Sequence, residues 1–581
     1  MSYTAQKSIS DLKNEIINSI NKAIANGDLV QTDIPAFILE RPADRKNGDI
    51  ATNVAMACAK SFRLPPFKIA QIIIDNIDLS NTYAKKVEMA GPGFINFFLS
   101  SNYYADILNE IFEKGDNYGN SDYGKGKKVM VEFVSANPTG PMHMGNARGG
   151  ALGDCLASVL EKVGYDVWRE FYVNDAGNQI EKFGVSLEAR YLQIFKGVDA
   201  VAFPEDGYQG SDILDRATQY ADKFGDKLLD VDSETRKQAL IDFALPLNIE
   251  KMKNDMAKYR IEYDKWFFES ELHNSGAITE TINILKENNM VYEKDGALWY
   301  KNIDIQTAKF LALGKTQEEI DKFELKDDVL IRQNGNPTYF AADIAYHRNK
   351  LLTRDFDLCI DVWGADHHGH VARIKGAMDS IGLNGDDLDV LLMQLVNLVR
   401  DGKPVKMSKR TGKSIQLADL LDEVSTDAAR FLFNMREANT QMDFDLDLAV
   451  QQDSQNPVYY VQYAHARICS IINSLEENGT SRRACTNEEL ALLSSSEEIE
   501  LINHLASYSD ELIASANDYD PTKINKYLLQ LASLFHKFYN SNRVRVEDEK
   551  LMQARLNLCF AVKNVIYNVL TMFKISTPES M

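Results

Sequence analysis

The period of the hydrophobic pattern changes three times between residues 129 and 173, and no other stretch limits the fold as strongly. Val129-Met130-Val131-Glu132-Phe133-Val134 is strand-like, and Asn137-Pro138-Thr139-Gly140-Pro141 forces the backbone out of it into a loop. From Gly145 the spacing is helical, through Ala151, Leu152, Leu156 and Leu160 to a stop near Gly164, and Val167 to Val173 reads as a second strand. A strand, loop, helix, strand unit opens a doubly wound, Rossmann-like parallel α/β sheet. The strand pattern resumes at Ala297 to Tyr300, Val329 to Arg332, Cys359 to Trp363 and Val390 to Leu395, after a largely helical insertion over about 185–290.

The rest of the chain divides around that core. Residues 1 to 115 read as a small α+β domain with helices at Ile9 to Ala25 and Ala51 to Phe62 and a strand at Gly93 to Leu99. A Gly-, Asn- and Lys-rich linker covers 116–128, the core 129–395 and a connecting region 396–447, and 448–581 shows only helical periodicity. The 581 residues, 45% hydrophobic and 26% charged, suit a soluble protein of several domains. No run of eighteen apolar residues and no signal-peptide profile at Met1 to Leu12 is found, so a cytoplasmic protein is expected. The six cysteines stand singly, without zinc or disulfide spacing. A net charge of −21 means that any polyanion must be met by localised basic faces.

Two short motifs carry chemistry. His143-Met144-Gly145-Asn146 ends a loop at a helix N-terminus, where free backbone N–H groups and the positive end of the dipole cradle phosphate. Gly145 lets a purine or ribose approach the backbone, and His143 can donate to a phosphoryl oxygen that gains charge under attack by a carboxylate. Lys406-Met407-Ser408-Lys409-Arg410 lies in a loop between Gly402 and Gly412, where two lysines on flexible stems can follow a departing pyrophosphate. Either string alone is compatible with an ordinary turn or a solvated basic loop; together they read as two jaws closing on a nucleoside triphosphate.

The pair, in this order, resembles the signature of class I aminoacyl-tRNA synthetases, and the surrounding sequence narrows the resemblance to the bacterial-type arginyl-tRNA synthetase family. The matching segments include Asn47 to Asn53, Gly91 to Phe94, Ser135 to Pro141, Val173 to Gln179, Pro204 to Tyr208, Pro337 to His347, Trp363 to Gly369 and Asn456 to Arg467. The resemblance implies arginine binding by Glu132, Asn137, Tyr339 and Asp343, which suits a guanidinium read by carboxylates and carbonyls. It also implies ATP binding by Gly145, Asn146, Gly364, Asp366, His367, Met407 and Ser408, with His143, Lys406 and Lys409 catalytic. Tyr339 is equally readable as a core aromatic. Asp366, His367, His368 and His370 look like a metal cluster but are too adjacent to surround one ion, so no permanent metal is expected. One departure stands out: the family usually has histidine where this chain has Asn146.

The same resemblance makes the C-terminal helices an anticodon-binding domain with Lys537, Arg543, Arg545, Arg555 and Lys563 as its basic face, and Tyr459, Tyr460 and Tyr463 either stacking on bases or packing in the core. It implies a monomer that joins L-arginine to tRNA(Arg) through arginyl-adenylate, with Mg2+ carried by the ATP. The rivals are another class I synthetase, a non-catalytic tRNA-binding adapter, and a plain nucleotidyltransferase. A cysteine enzyme would need soft metal ligands that the chain lacks, and a nucleotidyltransferase has no use for so large a helical domain beyond the second motif.

Overall fold

The structure, a computed structural model, describes residues 2–42, 44–405 and 415–581. At its centre five strands form one parallel sheet: β1 (Lys128–Glu132), β2 (Asp166–Val173), β3 (Lys265–Phe268), β4 (Leu358–Gly364) and β5 (Leu388–Met393), in the order β5-β4-β1-β2-β3. Val129, Met130, Val131, Cys359 and Ile360 are fully buried, as expected for strands covered on both faces. Helix α1 (Met144–Lys162) makes the crossover from β1 to β2. It lies close to the sheet because a Cβ on Gly153 would overlap the Phe133 ring and one on Gly150 would come within 2.8 Å of Ile261. The chain leaves β1 toward β2 on one side while β4 flanks β1 on the other. The loops after β1 and β4 therefore diverge and open a crevice at the carboxyl end of the sheet, where ligands of such folds bind.

Between β2 and β3 the chain inserts helices α2 (Asn178–Lys196), α3 (Ser211–Phe224) and α4 (Ser233–Lys258), which share a core of Phe183, Leu187, Tyr191, Ile213 and Leu240. Two details depart from the pattern of the sequence. Lys265–Phe268, inside the range read as helical, is the edge strand β3, paired with Glu170–Val173. Four residues are too few to display a period, and the exposed edge of β2 decides their conformation. Conversely, Ala297–Tyr300 and Asp328–Ile331 do not join the core sheet; with Val291–Lys294 they form a separate antiparallel sheet. Helix α5 (Tyr339–Arg348) follows and runs into a π-helical turn, Asn349–Thr353, and α6 (His368–Ser380) follows β4.

A small sheet of Val396–Arg400, Lys403–Val405 and Met442–Asp445 leads, with α7 (Leu417–Glu423) and α8 (Thr426–Phe433), to the C-terminal helices α9 (Pro457–Glu477), α10 (Ser496–Ala506), α11 (Tyr508–Asn517), α12 (Thr522–Ser541) and α13 (Glu549–Met572). The N-terminal domain packs helices Tyr3–Ala25, Val54–Phe62, Pro66–Asn76 and Ser101–Lys114 with a four-stranded antiparallel sheet. Ala51, read as the start of a helix, instead lies in the strand Ile50–Thr52. This domain meets the C-terminal helices through Arg41, which donates to the Asn503 carbonyl (3.1 Å), and the linker does so through Tyr118, whose hydroxyl donates to that of Leu505 (3.0 Å). The expected architecture of an α/β core with a helical insertion, an α+β N-terminal domain and an all-α C-terminal region is the observed one.

Candidate active site

His143 is the N-cap of α1. Its Nδ1 accepts from the Gly145 backbone N–H (3.0 Å), while Asn146 Oδ1 accepts from the His143 backbone N–H (2.9 Å). This reciprocal cap satisfies donors that every helix start leaves orphaned. It also fixes the tautomer: Nδ1 is an acceptor, so the ring proton sits on Nε2. Desolvation in the cleft lowers the imidazolium pKa, which favours the same neutral donor. A Cβ on Gly145 would come within 2.8 Å of the His143 ring, so glycine here leaves room for the imidazole as well as for a ligand. Asn146 has a structural task of its own in closing the cap.

One turn further along α1, Arg148 is buried at 1% exposure. Its guanidinium donates to the carbonyls of Gln394 (2.8 Å), Glu437 (2.8 Å) and Thr440 (2.9 Å). Burial pushes its pKa down to about 10, which still leaves it charged near neutrality.

A cavity of about 1190 Å3 lies over this helix start. It is lined by Asn137, His143, Gly145 and Asn146 on one side and by Gly364, Asp366, His367 and Gln394 on the other. Asp366 and His367 are largely exposed along it, 3.7 Å apart. Lys406, Met407, Ser408 and Lys409 lie outside the described residues. Further along the chain, Gln416 forms a backbone bridge with His143, and the Leu417 N–H donates to the Met142 carbonyl (2.9 Å).

A second cavity, of about 490 Å3, adjoins the first and shares Ser135, Asn137, Gly364 and His367 with it. Glu132, Tyr339 and Asp343 line it, so the four residues expected to bind arginine converge. Tyr339 is 50% exposed and is therefore no core aromatic. The carboxylates are held by groups that the sequence reading did not assign. Lys350, fully buried, donates to Glu132 (2.6 Å) and to both oxygens of Asp361 (2.8 and 2.9 Å). His347, 1% exposed, presents Nε2 to Asp361 (3.1 Å) and Nδ1 to the Asp343 backbone carbonyl (2.9 Å), with the Asp343 carboxylate 3.2 Å from the same nitrogen. Both ring nitrogens face acceptor oxygens, which calls for the imidazolium. His370, read as a metal-type residue, donates from Nε2 to Asp343 (2.5 Å) and accepts at Nδ1 from Arg373 (3.1 Å). Among the described residues no group of three His, Cys, Asp or Glu side chains is arranged to hold a metal ion.

Three carboxylates, Glu132, Asp343 and Asp361, thus face two cations, Lys350 and His347, and one negative charge is left for a monocationic side chain in the cavity. Burial raises the Asp343 carboxyl, but His347 and His370 more than offset it and hold it well below the usual carboxylate range. The periodic signal for the missed residues was present: Tyr339, Asp343 and His347 recur every four residues along α5, and Lys350 continues that face into the π turn.

The pairing has a consequence for stability. Burial and Lys350 lower the His347 pKa, Asp343 and Asp361 raise it, and the result is about 9. A histidine raised above its unfolded value of about 6.5 contributes stability that is complete below that pH and is lost as pH rises through 9. The melting temperature is therefore expected to fall between pH 7 and 10 by the equivalent of a few kcal/mol. His347→Gln should flatten this alkaline limb. An alkaline slope equal in both proteins would assign it to other groups.

In the C-terminal helices the expected basic face is reduced. Arg543 and Arg545 are exposed, and Lys537 is exposed and paired with Glu500 (2.7 Å). Arg555 instead turns inward: its guanidinium is 13% exposed, donates to the buried Glu498 (2.8 Å) and caps the Arg543 carbonyl (2.8 Å). A buried carboxylate needs a cation, and Arg555 supplies it. Lys563 lies 4.0 Å from Glu579.

Comparison with known proteins agrees along the whole length. The family models "Arginyl tRNA synthetase N terminal domain", "tRNA synthetases class I (R), catalytic domain" and "DALR anticodon binding domain" match residues 10–99, 107–472 and 461–581. The chain is 52% identical over 569 residues to the arginine–tRNA ligase of Acetivibrio thermocellus, covering 98% of each. It is also 52% identical over 581 residues to that of Caldanaerobacter subterraneus subsp. tengcongensis, covering 100% of each. Its fold superposes on the arginyl-tRNA synthetase of Thermus thermophilus with a TM-score of 0.70 at 21% identity, over 97% of this chain and 99% of that one. With a capped histidine at the sheet's switch point, a carboxylate pocket beside it and matched domains on either side, the chain belongs to the class I arginyl-tRNA synthetase family.

Proposed function

We propose that the enzyme activates L-arginine with ATP, forming arginyl-adenylate and pyrophosphate, and transfers the arginyl group to the terminal adenosine of tRNA(Arg), releasing AMP. One observation carries this reading: the cavity holding Asp343 and its surplus negative charge opens into the cleft where His143 presents Nε2–H. A guanidinium bound at Asp343 directs the substrate's carboxylate toward that cleft, where ATP would lie along Gly145, Asn146, Gly364, Asp366 and His367. The carboxylate attacks the α-phosphorus, the bond to the bridging oxygen of pyrophosphate breaks, and His143 donates to the phosphoryl oxygen on which charge develops. Lys409 stabilises that transition state, Lys406 steadies the leaving pyrophosphate, and Met407 and Ser408 border the nucleotide. Glu132 acts through Lys350, Asn137 reaches the substrate's polar end, and Tyr339 covers the guanidinium.

Magnesium arrives on the ATP. Lys537, Arg543 and Arg545 meet the tRNA backbone, and the protein works as a monomer in the cytoplasm. Pyrophosphate exchange measured with each amino acid in turn, with and without tRNA, tests the function. Exchange confined to arginine is the expected result, and none with any amino acid from a folded sample would return the chain to an adapter role.

A further inference from the structure

Asp154, in the middle of α1, is completely buried, and three cations from separate parts of the chain meet it: Arg169 of β2 (3.3 Å), Arg430 of α8 and Lys574 just beyond α13 (2.9 Å). Arg430, also fully buried, donates to the carbonyls of Phe573 (2.7 Å) and Tyr259 (3.0 Å). One turn before it on α8, Asp427 accepts from Arg260 (2.6 Å), Gln462 (2.9 Å), the Ser576 N–H (3.1 Å) and the Ser576 hydroxyl. Arg260 in turn donates to the Lys574 carbonyl (2.7 Å) and Gln462 to that of Ser576 (2.9 Å). Residues 573–576, which continue the last helix of the anticodon-binding domain, are thus held by side chain and backbone against the catalytic domain.

Two paths lead from this junction to His143. Along α1, Asp154 lies eleven residues from the N-cap, about 16 Å of rigid helix. The glycines of that helix leave no slack against Phe133 and Ile261. Along the other path, α8 follows α7, whose start is bridged to His143 through Gln416. Helix, junction and bridge form a closed circuit, and residues 573–576 enter it opposite the catalytic histidine.

We propose that residues 573–576 are a clasp through which the seating of the C-terminal helices sets the position of α1, and that Lys574 is a positioning residue for the activation step. The inference rests on the proposed role of His143. It is tested with Lys574→Met, which keeps the stem of a side chain that is 31% exposed, and with Lys574→Arg. Arginine-dependent pyrophosphate exchange is measured with tRNA present throughout, at a temperature well below the variants' unfolding midpoints. Lys574→Met is expected to lower kcat about ten-fold, the scale of coupling through packed networks, with KM for arginine and ATP within about two-fold of wild type and kcat largely restored in Lys574→Arg. A merely structural contact would lower the unfolding midpoint and leave kcat of the folded enzyme alone; kcat within about two-fold of wild type would overturn the clasp while leaving the function intact. If Lys574→Met does not fold, Ser576→Ala is read in the same way, with about a three-fold loss expected and no loss overturning the proposal.

Discussion

Asp343→Ala is expected to lower kcat/KM for arginine by about 10²–10³-fold while leaving the KM for ATP near wild type. The carboxylate is the group that a bound guanidinium would meet, and leaving a buried charge without its partner costs ~3–5 kcal/mol. The change also deprives His347 and His370 of their shared acceptor, so Asp343→Asn is the companion variant, keeping the shape and one of the two acceptor oxygens while removing the charge. Steady-state exchange at varied arginine separates binding from chemistry. An arginine KM within three-fold of wild type in both variants would place the guanidinium elsewhere.

His143→Asn is expected to lower the activation rate by about 10²–10³-fold with little change in the KM for arginine, the scale seen when one preorganised donor to a developing oxyanion is removed. Asparagine is chosen because it caps helices well and so can replace the Nδ1 acceptor for the Gly145 N–H. What it lacks is the reach of Nε2–H. A thermal midpoint near wild type together with a collapsed kcat would separate the catalytic donor from the cap; full activity in a well-folded His143→Asn enzyme would show that the ring does no more than cap α1.

Much of this site was legible because its residues sit where period and punctuation change. His143 to Asn146 stood out as the point where a strand, a Pro- and Gly-rich loop and a helix meet, and Asp343 as a carboxylate amid apolar neighbours that required a cation. The groups that hold it, His347 and His370, were harder to read. A histidine on a helix face is usually a satisfied core residue, and nothing local reveals that Asp361 comes from a strand packed against that helix. Lys350 was hidden for a related reason: a lysine beyond a helix end reads as solvated until Glu132 and Asp361 are brought together by the register of β1 and β4, in which they are direct neighbours. Arg555 failed in the opposite direction, since exposure cannot be inferred from charge when the partner, Glu498, lies on another helix. Strand β3 was missed because its identity is decided by the edge it pairs with.

Arg148 has an electrostatic consequence beyond its packing. A guanidinium neutralised by a carboxylate presents a dipole whose field dies away quickly, whereas one solvated by three carbonyls remains a monopole. In a molecule with a net charge of −21, whose surface repels polyanions at long range, this buried charge beneath the helix start keeps a local positive potential at the mouth of the crevice, focused by the low-dielectric walls around it. An acidic protein can then attract a highly charged nucleotide to one spot and discourage its adsorption everywhere else, and its encounter rate with ATP should depend less on salt than that of a site built from exposed lysines.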